Sequence, residues 1–168
     1  MKQLARLFLF ISIGLFVISL TQNTYCTKEG CGFNPGIQLL LLGWLGLFVG
    51  GAGLCWSANP FLAITWLTFR FPKISSAFSL FAVIFSGSFL LFARIMNFDE
   101  SGGYSPIIHR HIGYWLWFSS TITMLVGNGI QLIVMYANLD KTPLDYADTD
   151  EKKQILRNAG GKSGKDLP

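Results

Sequence analysis

Four stretches of this sequence contain no Asp, Glu, Lys or Arg: Leu7–Leu20, Ile37–Phe69, Ile74–Ala93 and Ile112–Ala137. Apolar runs of that length read as membrane-spanning helices. Only 13% of the 168 residues are charged and 51% are hydrophobic, whereas roughly a quarter of a soluble domain is charged. A soluble α/β enzyme, a zinc ribbon and a helix-turn-helix nucleic-acid binder are thereby excluded. So is an outer-membrane barrel, whose strands would alternate in polarity. The expected fold is all-α, an integral membrane bundle of four transmembrane helices. The spans fall at about 4–21, 36–56, 74–93 and 112–137, with a short interfacial helix at about 60–70 and a polar, partly disordered tail over 138–168.

Basic residues set the orientation. Lys2, Arg6, Arg70, Lys73, Lys141, Lys152, Lys153, Arg157, Lys162 and Lys165 fall on one side of the four spans, and only Lys28, Arg94 and Arg110 on the other. The positive-inside rule then places both termini in the cytoplasm. The net charge of +4 therefore faces lipid headgroups, and the lipid bilayer, not nucleic acid, is the expected partner.

The first run has 14 residues, the length of a signal-peptide core. No A-x-A site follows it in Thr21-Gln22-Asn23-Thr24. With Leu4, Ala5 and a snorkelling Arg6 it is long enough for an uncleaved anchor, and both readings stand at this point. The second run has 33 residues and would be about 50 Å long as one helix, against a hydrocarbon core of about 30 Å. Asn59-Pro60 supplies a break: Pro60 lacks a backbone donor, and Asn59 can cap a new helix with Pro at its first position. The expectation is a crossing helix up to Trp56, then an interfacial helix with Trp66 at headgroup depth.

Small residues recur at three- and four-residue spacing: Gly43, Gly46, Gly50, Gly53 and Ser57 in the second run, Ser75, Ser79, Ala82 and Ser86 in the third, and Ser120, Thr123 and Gly127 in the fourth. Such stripes allow close backbone approach between membrane helices. They serve either packing within the chain or an outward interface, with a homo-oligomer, a membrane protein partner or a lipid in a groove as the occupant. Trp56 and Trp66 on the cytoplasmic side, and Tyr114, Trp115 and Trp117 on the outer side, read as an interfacial aromatic belt.

Few residues can carry chemistry. Cys26 and Cys31 share the first external loop and would oxidise in a periplasm, making a candidate structural disulfide. Cys55 falls near the cytoplasmic end of its span. Four-helix quinone-linked thiol oxidases are of this size, but their pair is C-x-x-C and a second cysteine pair follows. His109, Arg110 and His111 stand before the last span near Asp99, Glu100 and Tyr104, too few histidines for a metal site. Asn59, Asn128 and Gln131 are the polar candidates within the spans. Amides can hydrogen-bond between helices or hold a neutral ligand but cannot relay protons. No cofactor, metal or catalytic residue is expected.

The pattern Gly43-Trp44-Leu45-Gly46, Gly50-Gly51, Trp56-Ser57-Ala58-Asn59-Pro60 and Gly113-Tyr114-Trp115-Leu116-Trp117 resembles a group of small bacterial inner-membrane proteins. The resemblance covers the second to last spans and implies a multi-pass protein of the bacterial inner membrane with four spans; it carries over no activity. Bacteriocin immunity proteins are similar in size and span count only. The expected function is non-enzymatic, through partner binding or self-association. The alternatives are a periplasm-facing thiol or quinone redox enzyme using Cys26, Cys31 and His109–His111, or a transporter of an uncharged solute past Asn128 and Gln131.

Overall fold

The structure, a computed structural model, describes residues 2–28, 35–96, 103–139 and 150–160. Three helices carry the bundle: α1 (Lys2–Leu20), α5 (Pro72–Ser88, prolonged by a 3₁₀ turn at Phe89–Leu91) and α6 (Ile112–Leu139). All three are long and apolar enough to cross a membrane, and large apolar side chains such as Phe10, Leu80, Ile84, Leu91 and Ile133 stay exposed on their outer faces. A water-soluble protein would bury such a surface, so the chain is a membrane protein built mainly of helices.

Small residues bring these helices together. Ser12 on α1 donates to the Ser120 carbonyl on α6 at 2.9 Å, and a Cβ on Gly127 would lie 2.7 Å from the Phe8 Cβ. Ser75, Ser79, Ala82 and Ser86 are fully buried along the face that α5 turns inward, and the Ser86 and Thr121 hydroxyls share a 3.0 Å hydrogen bond. Asn128, fully buried, donates to the Ser75 carbonyl at 3.1 Å and accepts from the Ser75 hydroxyl at 3.0 Å. An unpaired amide there would cost several kcal/mol, roughly 2 to 7 depending on reference state, so the reciprocal pair fixes the register of α5 on α6. The stripes on these helices are thus spent inside the chain; Thr123 and Gln131 on α6 are half-buried.

The second apolar run departs from the expected straight helix. Gly36–Leu42 (α2), a 3₁₀ turn at Gly43–Leu45 and Gly46–Val49 (α3) form one short arm. The chain then reverses at Gly50 and Gly51, whose φ angles are +80° and +59°, a region that only glycine adopts readily. The returning arm is a 3₁₀ helix, Gly51–Ser57, that runs without interruption into α4, Ala58–Leu67. Gly43, Gly46, Gly53 and Ser57 therefore do not line one helix. Gly46 faces Gly53 across the hairpin, Gly43 faces the Trp56 ring, and Gly50 is the turn.

The break expected at Asn59-Pro60 is absent, because Pro60 lies where the 3₁₀ pattern gives way to α-helix and its missing N–H falls at that junction. Nor does the 60–70 segment stand apart as an interfacial helix. Leu62 and Thr65 are fully buried, Phe61 packs on Phe78, Phe81 and Phe85 of α5 with centroids 5.5–6.0 Å apart, and Trp66 reaches inward to donate to the Ser12 hydroxyl at 3.1 Å. From Gly51 to Leu67 the returning arm is about 30 Å long, at roughly 2.0 Å per 3₁₀ and 1.5 Å per α residue.

One end of the bundle carries a small antiparallel sheet, which corrects the all-α expectation. Its order is β1-β3-β2, from Tyr25–Thr27, Tyr104–Arg110 and Arg94–Met96. Tyr104, Ile107 and Ile108 suit a pleated surface. Pro106 is tolerated in the middle strand because β1 pairs only as far as Ile107, leaving β3 a local edge beside it. Arg110 ties the sheet to the bundle: its guanidinium donates to the carbonyls of Phe89, Leu90 and Phe92 at 3.1–3.2 Å, the C-terminal position that suits a cation. In the tail, α7 (Asp150–Asn158) ends before Gly160, whose φ is +84°, a left-handed conformation of the kind that terminates helices. Residues 140–149 and 161–168 lie outside the described residues.

Candidate functional site

A cavity of about 610 Å³ opens between the sheet and the helix ends beneath it. Leu39, Leu40, Gly43 and Gly46 of the α2–α3 arm form one side, and Ala52, Cys55, Trp56 and Asn59 of the returning arm another. The end of α1 contributes Phe16 and Ser19, β1 contributes Thr24 and Tyr25, the turn after α5 contributes Phe89 and Phe92, and α6 contributes Gly113, Tyr114 and Trp117. The hairpin reversal makes this space, since it sets a short arm beside the bundle where a straight helix would have run on through it. Gly36 and Gly113 close the corners, where a Cβ would lie 2.6 Å from the Ser19 and Asn23 carbonyl oxygens respectively.

The walls are mostly apolar and aromatic, and nearly every polar atom is committed. Trp56 donates to the Leu40 carbonyl at 3.1 Å, and Tyr114 donates to the Ser86 carbonyl at 3.2 Å. Trp117 donates to Oδ1 of Asn59 at 2.9 Å. Because an indole N–H can only donate, this bond orients the amide and leaves Nδ2 as a free donor. Among the described residues, neither Asn59 Nδ2 nor the Tyr25 hydroxyl has a hydrogen-bond partner, and both residues line the cavity. Burial pushes the Tyr25 phenol above its usual range, so it is a protonated donor at neutral pH. Arg94 and Tyr104 also border the space, both exposed.

The expected site residues divide. Asn59 is in the cavity wall, whereas Asn128 is locked against Ser75 and neither it nor Gln131 lines the cavity. Trp56 and Cys55 were expected toward the cytoplasmic end of a span; they lie instead at the sheet end, where Cys55 is a free buried thiol 3.3 Å from the Ser88 hydroxyl. His109 and His111 share a face, their rings 5.3 Å apart, because the segment leading to them is a strand and residues two apart in a strand point the same way. A helix would have separated them. His111 Nε2 is 2.8 Å from Cys26 Sγ; Cys26 is disulfide-bonded, so the imidazole is the donor. Its expected partner Cys31 lies outside the described residues, as do Asp99 and Glu100.

Tyr25, Tyr114 and Trp117 were not foreseen as a common wall. The signal was the crowding of aromatic residues beside Asn59-Pro60 and Gly113, which sequence reading spent on an interfacial belt. No group of three or more potential metal ligands occurs among the described residues. Comparison with family models, with curated proteins and with solved structures finds no match to this chain.

Proposed function

We propose that this is a bacterial inner-membrane protein of four crossings that works by binding, and that its ligand is a lipid-soluble molecule held in the sheet-end cavity. The observation that carries the reading is the cavity itself, whose size is that of a small-molecule site and whose free donors point to an occupant with acceptors. The fourth crossing is the Gly51–Leu67 arm, since its length of about 30 Å matches a hydrocarbon core. The charge asymmetry supports cytoplasmic termini and a periplasmic sheet. Binding of a membrane protein partner fits the same reading. Self-association has less support, because most of the small residues on α5 and α6 are spent on contacts within the chain. The test is extraction of the purified protein: wild type should retain about one lipid-soluble compound per chain, and Ala52→Trp, which fills the cavity, should lose it. Equal retention by both would refute the reading.

A second reading rests on His111 against Cys26. An N–H on a disulfide sulfur would stabilise the thiolate that leaves when an incoming protein dithiol attacks. If Cys26 exchanges with such a dithiol, His111→Leu should slow the exchange at least tenfold; an unchanged rate leaves the bond a purely structural staple.

A further inference from the structure

We propose that the cavity takes a neutral, flat, carbonyl-bearing amphiphile of the alkyl- or isoprenoid-quinone class. This rests on the binding reading above and narrows it. The volume of about 610 Å³ holds roughly twenty groups of the size of a water molecule, at about 30 Å³ each. That is room for a ring and a short length of chain. The walls favour a ring: Tyr25, Trp56, Phe89 and Trp117 border the space, and aromatic faces stack on flat conjugated systems.

The polar groups specify the rest. Trp117 fixes the Asn59 amide at 2.9 Å with its Nδ2 unused, and the Tyr25 hydroxyl is the second unused donor. Both donors are open to solvent and not sealed in the wall, so an occupant that displaces solvent from them has to supply acceptors or leave them unpaired at a cost. Neutral carbonyl oxygens supply those acceptors without bringing a charge into an apolar space. Among the described residues, the cavity walls contain no Asp or Glu that would call for an amine, and Arg94, a cation that borders the space, is exposed. A chain attached to the ring has an apolar path outward along α2–α3, where Leu41 and Phe48 are 64% and 82% exposed.

The full-length protein in phosphatidylcholine nanodiscs is titrated with decylubiquinone, with decylbenzene as a carbonyl-free analogue and with lysophosphatidylglycerol as an anionic one. The readout is quenching of tryptophan fluorescence, to which Trp56 and Trp117 in the wall contribute, or displacement of the quinone by the other two. Saturable quinone binding is expected, weakened about tenfold by Asn59→Leu and by roughly half that factor by Tyr25→Phe, with decylbenzene unaffected by either change. Tyr25→Phe removes a single hydroxyl and keeps the ring, so it remains informative if Asn59→Leu, which also strips Trp117 of its acceptor, fails to fold. Quinone and decylbenzene binding equally, with no effect of either substitution, would overturn the quinone class while leaving the cavity a binding site. Preference for lysophosphatidylglycerol, lost in Arg94→Gln, would overturn it in favour of an anionic amphiphile. Absence of binding by all three, with Ala52→Trp indistinguishable from wild type, would overturn both readings.

Discussion

Replacing Gly53 with Ala tests the hairpin at its tightest point. A Cβ at Gly53 would lie 2.8 Å from the Gly46 Cα and closer still to the Gly46 carbonyl group. These are backbone atoms, which cannot swing aside as a side-chain tip would, so the cost belongs at the upper end of overpacking, about 3 kcal/mol. For a chain of this size that is a fall of roughly 6–12 °C in Tm. Gly14 is the control: it is inside α1 and a Cβ there would meet nothing within 4 Å, so Gly14→Ala should be neutral or stabilise by up to about 1 kcal/mol through helix propensity. Thermal unfolding in nanodiscs, followed by circular dichroism, separates the two. Were Gly53 on the outward stripe of a straight helix, both substitutions would behave alike. Matching melting curves for Gly53→Ala and wild type would therefore refute the hairpin contact.

Other outcomes follow from the same geometry. Gly50→Ala should destabilise by about 1–3 kcal/mol, because a φ of +80° with ψ of −160° is a conformation essentially confined to glycine; equal thermal stability would speak against the turn. Pro60→Ala restores a donor inside a continuous helical arm and should raise Tm or leave it unchanged, whereas a structural break at Asn59-Pro60 would make the same change harmful. A double-mutant cycle of Ser75→Ala with Asn128→Leu should give a coupling of about 1–2 kcal/mol, the upper range for hydrogen bonds between membrane helices, and additivity would contradict the reciprocal pair. Arg110→Leu removes hydrogen bonds to three carbonyls and should speed amide exchange after the end of α5, without affecting exchange near Asn128.

The apolar runs read correctly as helices wherever one run made one helix. α1, α5 and α6 follow from the absence of charge; the small-residue spacing left open whether the stripes face inward or outward, and Ser75, Ser79, Ala82, Ser86, Ser120 and Gly127 are buried while Thr123 is half-buried. The second run misled because two breakers compete in it. Asn59-Pro60 is the stronger signal locally, yet a proline early in a helix is tolerated, while Gly50-Gly51 reverses the chain only because Gly46 and Gly53 are small enough for the arms to close. That is a tertiary fact, and the glycine spacing alone describes a stripe equally well. The sheet escaped notice for a related reason: β1 and β2 have three residues each, too short for an alternating pattern. Of the site, Asn59 was legible as a polar residue among apolar ones. Its companion Trp117 is 58 positions away, and nothing in local sequence links them.

The position of the α2–α3 arm tests the account most directly, since both the cavity and the identity of the fourth crossing depend on it. A spin label at Phe48→Cys, in a Cys55→Ser background, can be placed along the membrane normal by its collision rates with oxygen and with a water-soluble nickel chelate. A straight helix beginning at Gly36 would carry position 48 about 18 Å inward, beyond the middle of a core of about 30 Å. In the structure the chain just after position 48 packs at the sheet end, Ala52 lying against the Cys55, Phe89 and Tyr114 cluster, so the label should share a leaflet with one at Tyr104, and a label at Leu67 should lie in the opposite leaflet. A Phe48 label at the bilayer centre would contradict the fold-back and remove the cavity with it.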